Sequence, residues 1–349
     1  MLSESRLRQL LAAFPKLRLG VVGDFFLDAY YDCDPRLDET SLETGRTCYQ
    51  VVRTRRQAGA AGTVAANLAA LGVGRIEAVG FCGDDGEGYE LRRAMKGLGL
   101  HLDGFFLRPD RITPTYGKPC YVDGTRPGLP VREELERLDT KNRRPTPRDL
   151  QDLLIAHLEE QLPTWHGAVL LDQVSEPGCG VLSPRVRRFL ADQARRRPGQ
   201  VILADSRQLI GLFRQVMVKP NQFEAARALG IGSRRPPSLR ASITHAAALS
   251  HRSGRPVFLT LGERGMLVAQ GQQVQHVAAC RVVGPIDPVG AGDSCSAALA
   301  AALSAGAALP EAAFLANLVA SVTIQQLGTT GTASPAQIRR RYRQIRHAP

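Results

Sequence analysis

Large aromatic side chains are scarce in this sequence, and tryptophan occurs once, as Trp165. Phe, Trp and Tyr together make up 5% of the 349 residues, so a hydrophobic core must be built mainly from Ala, Leu and Val. Long apolar runs are missing too. The Ala-rich stretch 297–322 is interrupted by Gly306, Pro310 and Glu311, and alanine is too weakly apolar to hold such a helix in a bilayer. The sequence therefore predicts no membrane span.

Paired metal-ligand and disulfide motifs are also absent. The seven cysteines form no CxxC pair, and the seven histidines form no HExxH or Cys/His pattern, which argues against a structural zinc site. An odd number of cysteines cannot be bridged completely within one chain, so we expect reduced thiols. Residues 3–14 predict a short amphipathic helix followed at once by an apolar strand, not a signal peptide. We therefore expect a cytoplasmic protein.

The formal net charge of +12 is the one unusual bulk property. Such a charge could mark a nucleic-acid surface or attract anionic substrates. The arginine runs at 195–197 and 339–341 are short, dispersed and without interleaved aromatic residues. That pattern favours solvated helix faces over a nucleic-acid surface. We therefore expect neither nucleic acid nor membrane as a partner.

Apolar strands alternate with helices along most of the chain, beginning with a strand at residues 17–22. This pattern predicts an α/β protein whose mainly parallel sheet is covered by helices on both faces. Residues 29–57 and 112–124 differ, because they are polar, rich in Thr, Tyr and Arg, and β-prone. They predict a small β flap, or lid. Residues 127–150 and 233–240 are predicted to be loops, and without internal repeats the economical interpretation is one domain over residues 1–349.

The segment Gly290-Ala291-Gly292-Asp293 opens a predicted helix. Glycines at a helix start leave backbone N–H groups accessible, and the helix dipole adds partial positive charge there. Such a turn can stabilise the charge on a phosphoryl group during its transfer, and an aspartate there can accept a proton from an attacking hydroxyl. Alternatively, Asp293 caps the helix and the glycines only permit a tight turn.

Asn221 and Glu224 lie three residues apart just after a strand. Their oxygens suit Mg²⁺ held through water at phosphate groups. The alternative is a helix start, in which Asn221 caps the helix and Glu224 completes a capping box.

Three further segments each allow two interpretations. The turn containing Thr260, Gly262 and Gly265 is either a plain hairpin or a turn that lets a nucleotide approach the backbone. Asp28 either binds a pair of sugar hydroxyls or closes a turn. The Gly/Ala-rich segment 59–72 is either a closely packed core helix or a helix whose N-terminus faces a polyol.

The order of these pieces is more specific than any one of them. A Gly-Asp…Asp segment precedes the Gly/Ala helix, NxxE, TxGxxG and DxxGAGD. Over residues 17–345 this order resembles the PfkB, or ribokinase-like, carbohydrate kinase family. Within that family, residues 23–28, 136–139, 317–322 and 327–332 are most similar to the kinase domain of bacterial heptose-7-phosphate kinase/ADP-heptose synthase enzymes. A Walker A motif and the HRD and DFG motifs of protein kinases are absent, so other ATP-dependent phosphotransferase schemes fit poorly.

The resemblance implies a ribokinase-like three-layer α/β/α fold and an enzyme that uses ATP and Mg²⁺ to phosphorylate a sugar. Asp293 would be the catalytic base. The anion hole would be formed by Gly290, Ala291 and Gly292. Magnesium-bound water would be positioned by Asn221 and Glu224. The nucleotide would be bordered by Thr260, Gly262, Gly265, Asn317 and the loop at Gly328.

For the acceptor, the resemblance implies that Asp28 binds the sugar and that the flap closes over it. Gly59, Ala60 and Thr63 correspond to further sugar-binding positions, and Asp287 and Val289 lie where relatives hold a monovalent cation such as K⁺. Relatives often form homodimers through their flaps, so a homodimer is expected here.

The acceptor end departs from the family pattern. A Gly-Gly pair is replaced by Gly59-Ala60, and an expected asparagine by Thr63. Where the heptose kinases have an Asp-Tyr-Lys stretch, residues 172–176 of this chain are Asp-Gln-Val-Ser-Glu. Where they have Asp-Pro-Lys, residues 205–207 are Asp-Ser-Arg. The acceptor could therefore differ from a heptose phosphate. Two alternatives stay open: a nucleoside kinase of the same fold, disfavoured by the few aromatic residues outside the flap, and a non-catalytic sugar or nucleotide sensor.

Overall fold

The computed structural model describes residues 2–126, 128, 130–232 and 235–346. The other residues of the predicted domain 1–349 lie outside the described part: Met1, Pro127, Leu129, Ser233, Arg234 and 347–349. Four of them, Pro127, Leu129, Ser233 and Arg234, belong to the two predicted loops.

The strands of the described chain are numbered in chain order as β1 (Arg18–Gly23), β2 (Phe25–Cys33), β3 (Glu39–Thr40), β4 (Thr47–Cys48), β5 (Val51–Ala60), β6 (Arg75–Gly83), β7 (His101–Arg108), β8 (Thr115–Val122), β9 (Val131–Glu134), β10 (Leu138–Thr140), β11 (Gly167–Asp172), β12 (Val201–Ser206), β13 (Met217–Val218), β14 (Val257–Thr260), β15 (Met266–Gln270) and β16 (Gln273–Val277). The helices are α1 (Glu4–Ala13), α2 (Ala61–Ala70), α3 (Gly86–Gly97), α4 (Arg148–Gln161), α5 (Pro184–Arg196), α6 (Gln222–Ala228), α7 (Leu239–Ser253), α8 (Ala291–Ser304), α9 (Leu309–Thr323) and α10 (Pro335–Arg346).

Nine strands of the described chain form the central sheet, in the order β16-β15-β14-β13-β12-β11-β1-β6-β7. Strands β14 to β7 in this order pair in parallel, while β15 and β16 add an antiparallel hairpin at one edge. The parallel strands are apolar because helices cover both faces of the sheet. The predicted α/β/α layers with a mainly parallel sheet are confirmed.

The core lies in two layers, one on each side of this sheet. Neighbouring side chains of a strand point to opposite faces, so Val21 packs in one apolar cluster and Val22 in the other. The first cluster includes side chains of α1, α2, α3, α8, α9 and α10. The second includes side chains of α4, α5, α6 and α7. Buried alanines of α8 and α9 let these two helices pack closely, as the Ala-rich sequence requires.

A second sheet is built from β10, β8, β2 and β5, with β9 also paired to β8. It follows the carboxyl end of β1, because β2 begins at Phe25, immediately after the Gly23-Asp24 turn. The prediction of a loop over residues 127–150 is wrong where β9, β10 and the start of α4 form. The two strands are exposed on both faces, so they carry no apolar alternation, and pairing with β8 is what orders them.

Among the described residues, no helix is long and apolar enough to cross a membrane. All seven cysteines are free thiols.

Candidate active site

The candidate site lies at the carboxyl ends of β11, β12, β13 and β14, where loops leave a parallel sheet and ligands of open α/β proteins usually bind. A cavity of about 430 Å³ opens there. We call it the smaller cavity. Its lining is polar and charged, and comes from Gln173, Asp205, Arg207, Lys219, Asn221, Gln222, Phe223, Glu224, Thr260, Gly262, Gly290, Gly292 and Asp293.

The start of α8 forms one wall of the smaller cavity. Gly290 precedes the helix with φ 78°, a left-handed conformation that glycine adopts without strain. The N–H of Ala291 donates to the Pro288 carbonyl at 3.1 Å, and the N–H of Ser294 donates to the Gly290 carbonyl at 2.9 Å. The N–H groups of Gly292 and Asp293 belong to the first turn, which has no intrahelical acceptors. They are therefore available to an anion at the helix end.

The Asp293 carboxyl group lies in this first turn and is half-buried. Burial raises its pKa to about 7, and the nearby Asp205 carboxylate acts in the same direction. Lys219 and Arg207 lower the pKa, but by less than the other effects raise it. A carboxyl group with a pKa near neutrality can take up and release a proton at physiological pH, which is what a general base requires.

A buried ion pair lies beside Asp293. The Lys219 ammonium is 2.9 Å from the Asp205 carboxylate, which also accepts a hydrogen bond from the Ser296 hydroxyl at 2.7 Å. Asp205 is the penultimate residue of β12 and Lys219 follows β13, so neighbouring parallel strands bring the two charges together. Burial lowers the pKa of Lys219, but the charges of Asp205 and Glu224, together with the hydrogen bond to Asp205, outweigh burial, and the net pKa is raised. Lys219 thus stays protonated next to the helix end.

Asn221 and Glu224 form the capping box of α6. The Asn221 side-chain oxygen accepts the N–H groups of Phe223 and Glu224, each at 2.9 Å, and the Glu224 carboxylate accepts the Asn221 N–H at 2.8 Å. Both residues also line the smaller cavity. The capping interpretation is therefore confirmed. It does not exclude Mg²⁺ binding through water, because only one of the two Glu224 carboxylate oxygens accepts the Asn221 N–H.

The donor set fits only a cation that is mostly held by water and substrate. Within the described part of the chain, no group of three or more His, Cys, Asp or Glu side chains is placed to hold a metal ion. Mg²⁺ commonly keeps several waters and binds through one or two carboxylates plus substrate phosphates. Burial raises the pKa of Glu224, with Asp205 adding to the effect, so a cation at this point would also offset the local excess of carboxylates.

A larger cleft of about 690 Å³ adjoins the smaller cavity, and the two share Thr260, Gly262 and Gly292. Gly265, also in its wall, has φ 94°, and a Cβ there would lie 2.3 Å from the Val277 carbonyl oxygen. Only glycine fits this β14–β15 hairpin. Asn317 of α9 donates from its side-chain amide to the carbonyls of Val277 at 3.1 Å and Ala278 at 3.0 Å, which holds the segment after β16 along the rim.

The predicted acceptor residues lie outside both cavities, in the second sheet and α2. Asp28 of β2 is 3.2 Å from the Lys118 ammonium of β8, and a Cβ on Gly59 would lie 2.8 Å from the Asp28 carboxyl carbon. Thr63 is buried in α2. The Asp28 charge nevertheless contributes to the raised pKa of Asp293, although 265 positions separate the two residues in the sequence.

Ala60 departs from ordinary backbone geometry. It precedes α2 with φ 53° and ψ −115°, a conformation that a residue with a side chain rarely adopts. Because alanine has a side chain, Ala60 is a point of local backbone strain.

The residues predicted to adjoin a monovalent cation form a local hydrogen-bonded turn. The Asp287 carboxylate accepts the N–H of Val289 and that of Gly328, both at 3.0 Å. Gly328 is therefore tied to the DxxGAGD segment. Gly328, Asp287 and Val289 are not among the described residues that line the smaller cavity or the larger cleft.

Sequence reasoning did not select Lys219, Asp205 or Arg207 as site residues, although each lines the smaller cavity. A signal was available: charged residues that directly follow apolar parallel strands gather at the carboxyl edge of the sheet. Gln173 was also missed. Its N–H donates at 2.9 Å to the buried Asp24 carboxylate, which also accepts the N–H groups of Val174 and Val181.

Comparison with known proteins agrees with this geometry. The model of the pfkB family of carbohydrate kinases matches residues 207–337. "Bifunctional protein HldE" of Caulobacter vibrioides is 31% identical over 347 residues, covering 96% of this chain and 67% of the relative. The protein of the same name from Trichlorobacter lovleyi is 30% identical over 327 residues, covering 92% of this chain. This chain spans about three fifths (62%) of the length of that relative.

Among solved structures, ribokinase of Arabidopsis thaliana, complexed with ribose and ATP, superposes with a TM-score of 0.66 and 19% sequence identity. The match covers 95% of this chain and 99% of the ribokinase. The ribokinase-like fold is thereby confirmed. Together, the family match and the relative from Caulobacter vibrioides show that this chain belongs to the pfkB family of carbohydrate kinases, which are phosphotransferases with an alcohol group as acceptor.

Proposed function

We propose that this chain transfers the γ-phosphoryl group of ATP to a hydroxyl of a sugar or sugar phosphate of the heptose-phosphate kind. The observation on which the proposal rests is the Asp293 carboxyl group, with its pKa near 7, in the first turn of α8 where the smaller cavity meets the larger cleft. The sequence resemblance to heptose-7-phosphate kinase/ADP-heptose synthase enzymes supports the nature of the acceptor.

In the proposed mechanism Asp293 accepts the proton of the acceptor hydroxyl as that oxygen attacks the γ-phosphorus. Phosphoryl transfer needs little covalent chemistry from the protein, so positioning and charge stabilisation dominate. The N–H groups of Gly292 and Asp293 donate to the transferring phosphoryl oxygens, with the dipole of α8 adding to the effect. The ammonium of Lys219, kept charged by Asp205 at 2.9 Å, contributes positive potential at the same point.

The larger cleft suits the nucleotide, because most of the residues that line it have small side chains, such as Gly262, Gly265 and Ala291. Magnesium, when bound, supplies neutralisation of the phosphate charges. Asn221 and Glu224 would hold its water ligands. We keep K⁺ near Asp287 and Val289 within the proposal, on the family resemblance.

The second sheet acts, in this proposal, as a lid within a single kinase domain. Asp28 and Lys118 lie on it, and its closure over the acceptor would exclude water and so suppress ATP hydrolysis. Exposed apolar side chains at the start of β5, Val51 and Val52, and that of Tyr49 just before it, support a homodimer through this surface.

The test is an ADP-release assay of the purified chain with sugars, sugar phosphates and nucleosides, with and without K⁺. We expect turnover with a sugar or sugar phosphate. Asp293→Asn should lower kcat by about 10²- to 10⁴-fold, the usual contribution of a general base, while the ATP dissociation constant stays near that of the unchanged protein. Asp103→Asn, which removes an exposed carboxylate of β7, is the matched control.

Near-normal turnover of the Asp293→Asn protein would contradict the role of Asp293. Turnover confined to nucleosides would favour a nucleoside kinase, and ATP or sugar binding without any turnover would favour a sensor.

A further inference from the structure

Arg207 has a firmly held backbone and an exposed side chain. It follows the last residue of β12, and its N–H donates to the Asp172 carbonyl at 3.1 Å. Its own carbonyl accepts a hydrogen bond from the Arg227 guanidinium at 3.0 Å. The preceding Ser206 is fully buried and bonded to the Asp172 carboxylate at 2.5 Å. The backbone of Arg207 is therefore held by β11 and α6, and the residue lines the smaller cavity.

The Arg207 guanidinium forms no ion pair and no side-chain hydrogen bond within residues 2–126, 128, 130–232 and 235–346. The neighbouring cations differ in this respect. Lys219 pairs with Asp205 at 2.9 Å, and Lys118 pairs with Asp28 at 3.2 Å. Arg137 pairs with Asp139 at 2.6 Å, and Lys141 pairs with Glu176 at 3.6 Å. Arg207 thus offers an unneutralised guanidinium to the cavity.

The charge of Arg207 reaches both halves of the site. It lowers the pKa of Asp293 against the larger effect of burial. Burial raises the pKa of Tyr116 on β8, and Arg207 is the foremost of the charges that oppose this rise. Tyr116 is the register partner of Asp28 on the neighbouring strand. Arg207 therefore lines the same cavity as the proposed base, and its charge also acts on the strand pair proposed to hold the sugar.

We propose that Arg207 determines acceptor specificity by binding an anionic group, a phosphate ester or a carboxylate, carried by the acceptor sugar. The planar guanidinium offers parallel N–H donors that match either anion. This inference rests on the proposed kinase function and deepens it, because it names the class of acceptor and the residue that recognises it. The alternative partner of Arg207 is the γ-phosphate of ATP, which would make it indifferent to the acceptor.

The test compares three acceptors that differ only in charge: an uncharged sugar, its phosphate ester and the corresponding sugar carboxylate. The unchanged protein should show a higher kcat/KM with one of the anionic acceptors, and the arm that wins identifies the anion. Arg207→Gln should lower kcat/KM for that acceptor by about 10- to 100-fold through a raised KM, as expected for loss of charge-assisted hydrogen bonds. The kcat/KM for the uncharged sugar and the KM for ATP should change little.

Arg207→Lys keeps the charge but loses the paired donors. Its kcat/KM for the preferred anionic acceptor should therefore lie between the values of the unchanged protein and Arg207→Gln. Arg188→Gln removes an exposed guanidinium from α5 and serves as the matched control, with no expected change. An equal loss with charged and uncharged acceptors, or a raised KM for ATP, would overturn the inference and assign Arg207 to the nucleotide.

A direct binding measurement separates this inference from the proposed function. Calorimetric titration of the phosphate ester and the carboxylate without ATP should give a dissociation constant that rises about 10- to 100-fold in Arg207→Gln. A protein that binds the anionic sugar through Arg207 but never turns over would contradict the kinase proposal alone. Unchanged binding in the variant would contradict the inference alone.

Discussion

Replacing Asp293 by asparagine should remove a charge whose burial costs folding free energy above neutral pH. The folded-state pKa is about 7, compared with an ordinary value of 3.8, so the folded protein binds this proton more tightly than the unfolded chain does. The contribution of Asp293 to the free energy of unfolding therefore falls as pH rises from about 4 to about 7, and then levels off. Asparagine carries no charge at any pH, so the variant escapes this fall.

The magnitude follows from the two pKa values. At 1.36 kcal/mol for each pKa unit, the rise from 3.8 to about 7 corresponds to at most about 4 kcal/mol. Asp293 is half-buried in a cavity wall, and solvent screening reduces the value. We expect the stabilisation by Asp293→Asn to be about 2 kcal/mol larger at about pH 8 than at about pH 4.5.

Urea denaturation of both proteins at these two pH values, without nucleotide or Mg²⁺, measures this difference. Any pH-independent effect of the substitution cancels between the two measurements. Asp103→Asn, which removes an exposed carboxylate of β7, is measured beside Asp293→Asn as the control for loss of a surface charge. An equal effect of Asp293→Asn at both values would refute the reasoning, because the carboxyl group would then have no burial cost and no raised pKa.

Three further predictions concern turnover, strain and a buried ion pair. In the proposed role of Asp293 as base, kcat/KM should fall as pH drops below about 7, and a profile flat down to pH 5 would contradict that role. Ala60→Gly should raise the unfolding free energy by about 1 kcal/mol in urea titrations, because relief of backbone strain exceeds the added entropy of glycine in the unfolded chain; a loss of stability would mean that Ala60 is unstrained. The fully buried Asp32 pairs with Arg53 at 2.6 Å and Arg55 at 2.9 Å, so Asp32→Ala should cost about 3 kcal/mol by the same assay, and a loss below about 1 kcal/mol would show that the pairs contribute little.

Much of the fold and part of the site could be predicted locally. Apolar runs ending in Gly23-Asp24 and at Asp205 became β1 and β12, because such runs are typical of buried parallel strands. The Asn-x-x-Glu spacing at 221–224 became a capping box. Helices α3, α4 and α10 were not predicted, however, and neither was β7. Each of these elements packs in one of the two apolar clusters on the sheet, and helices in proteins owe most of their stability to such packing.

By itself, the sequence determined the features that depend on residues close together in the chain. The glycines and the aspartate at 290–293 specify a helix start with free N–H groups, whatever packs around it. Only the tertiary structure decided which charges are paired. Asp205 neutralises Lys219 and Asp28 neutralises Lys118, whereas Arg207 stays unpaired beside Asp293. These relations depend on the order of strands in the sheets, and electrostatic interactions act through distance in space, not separation in sequence.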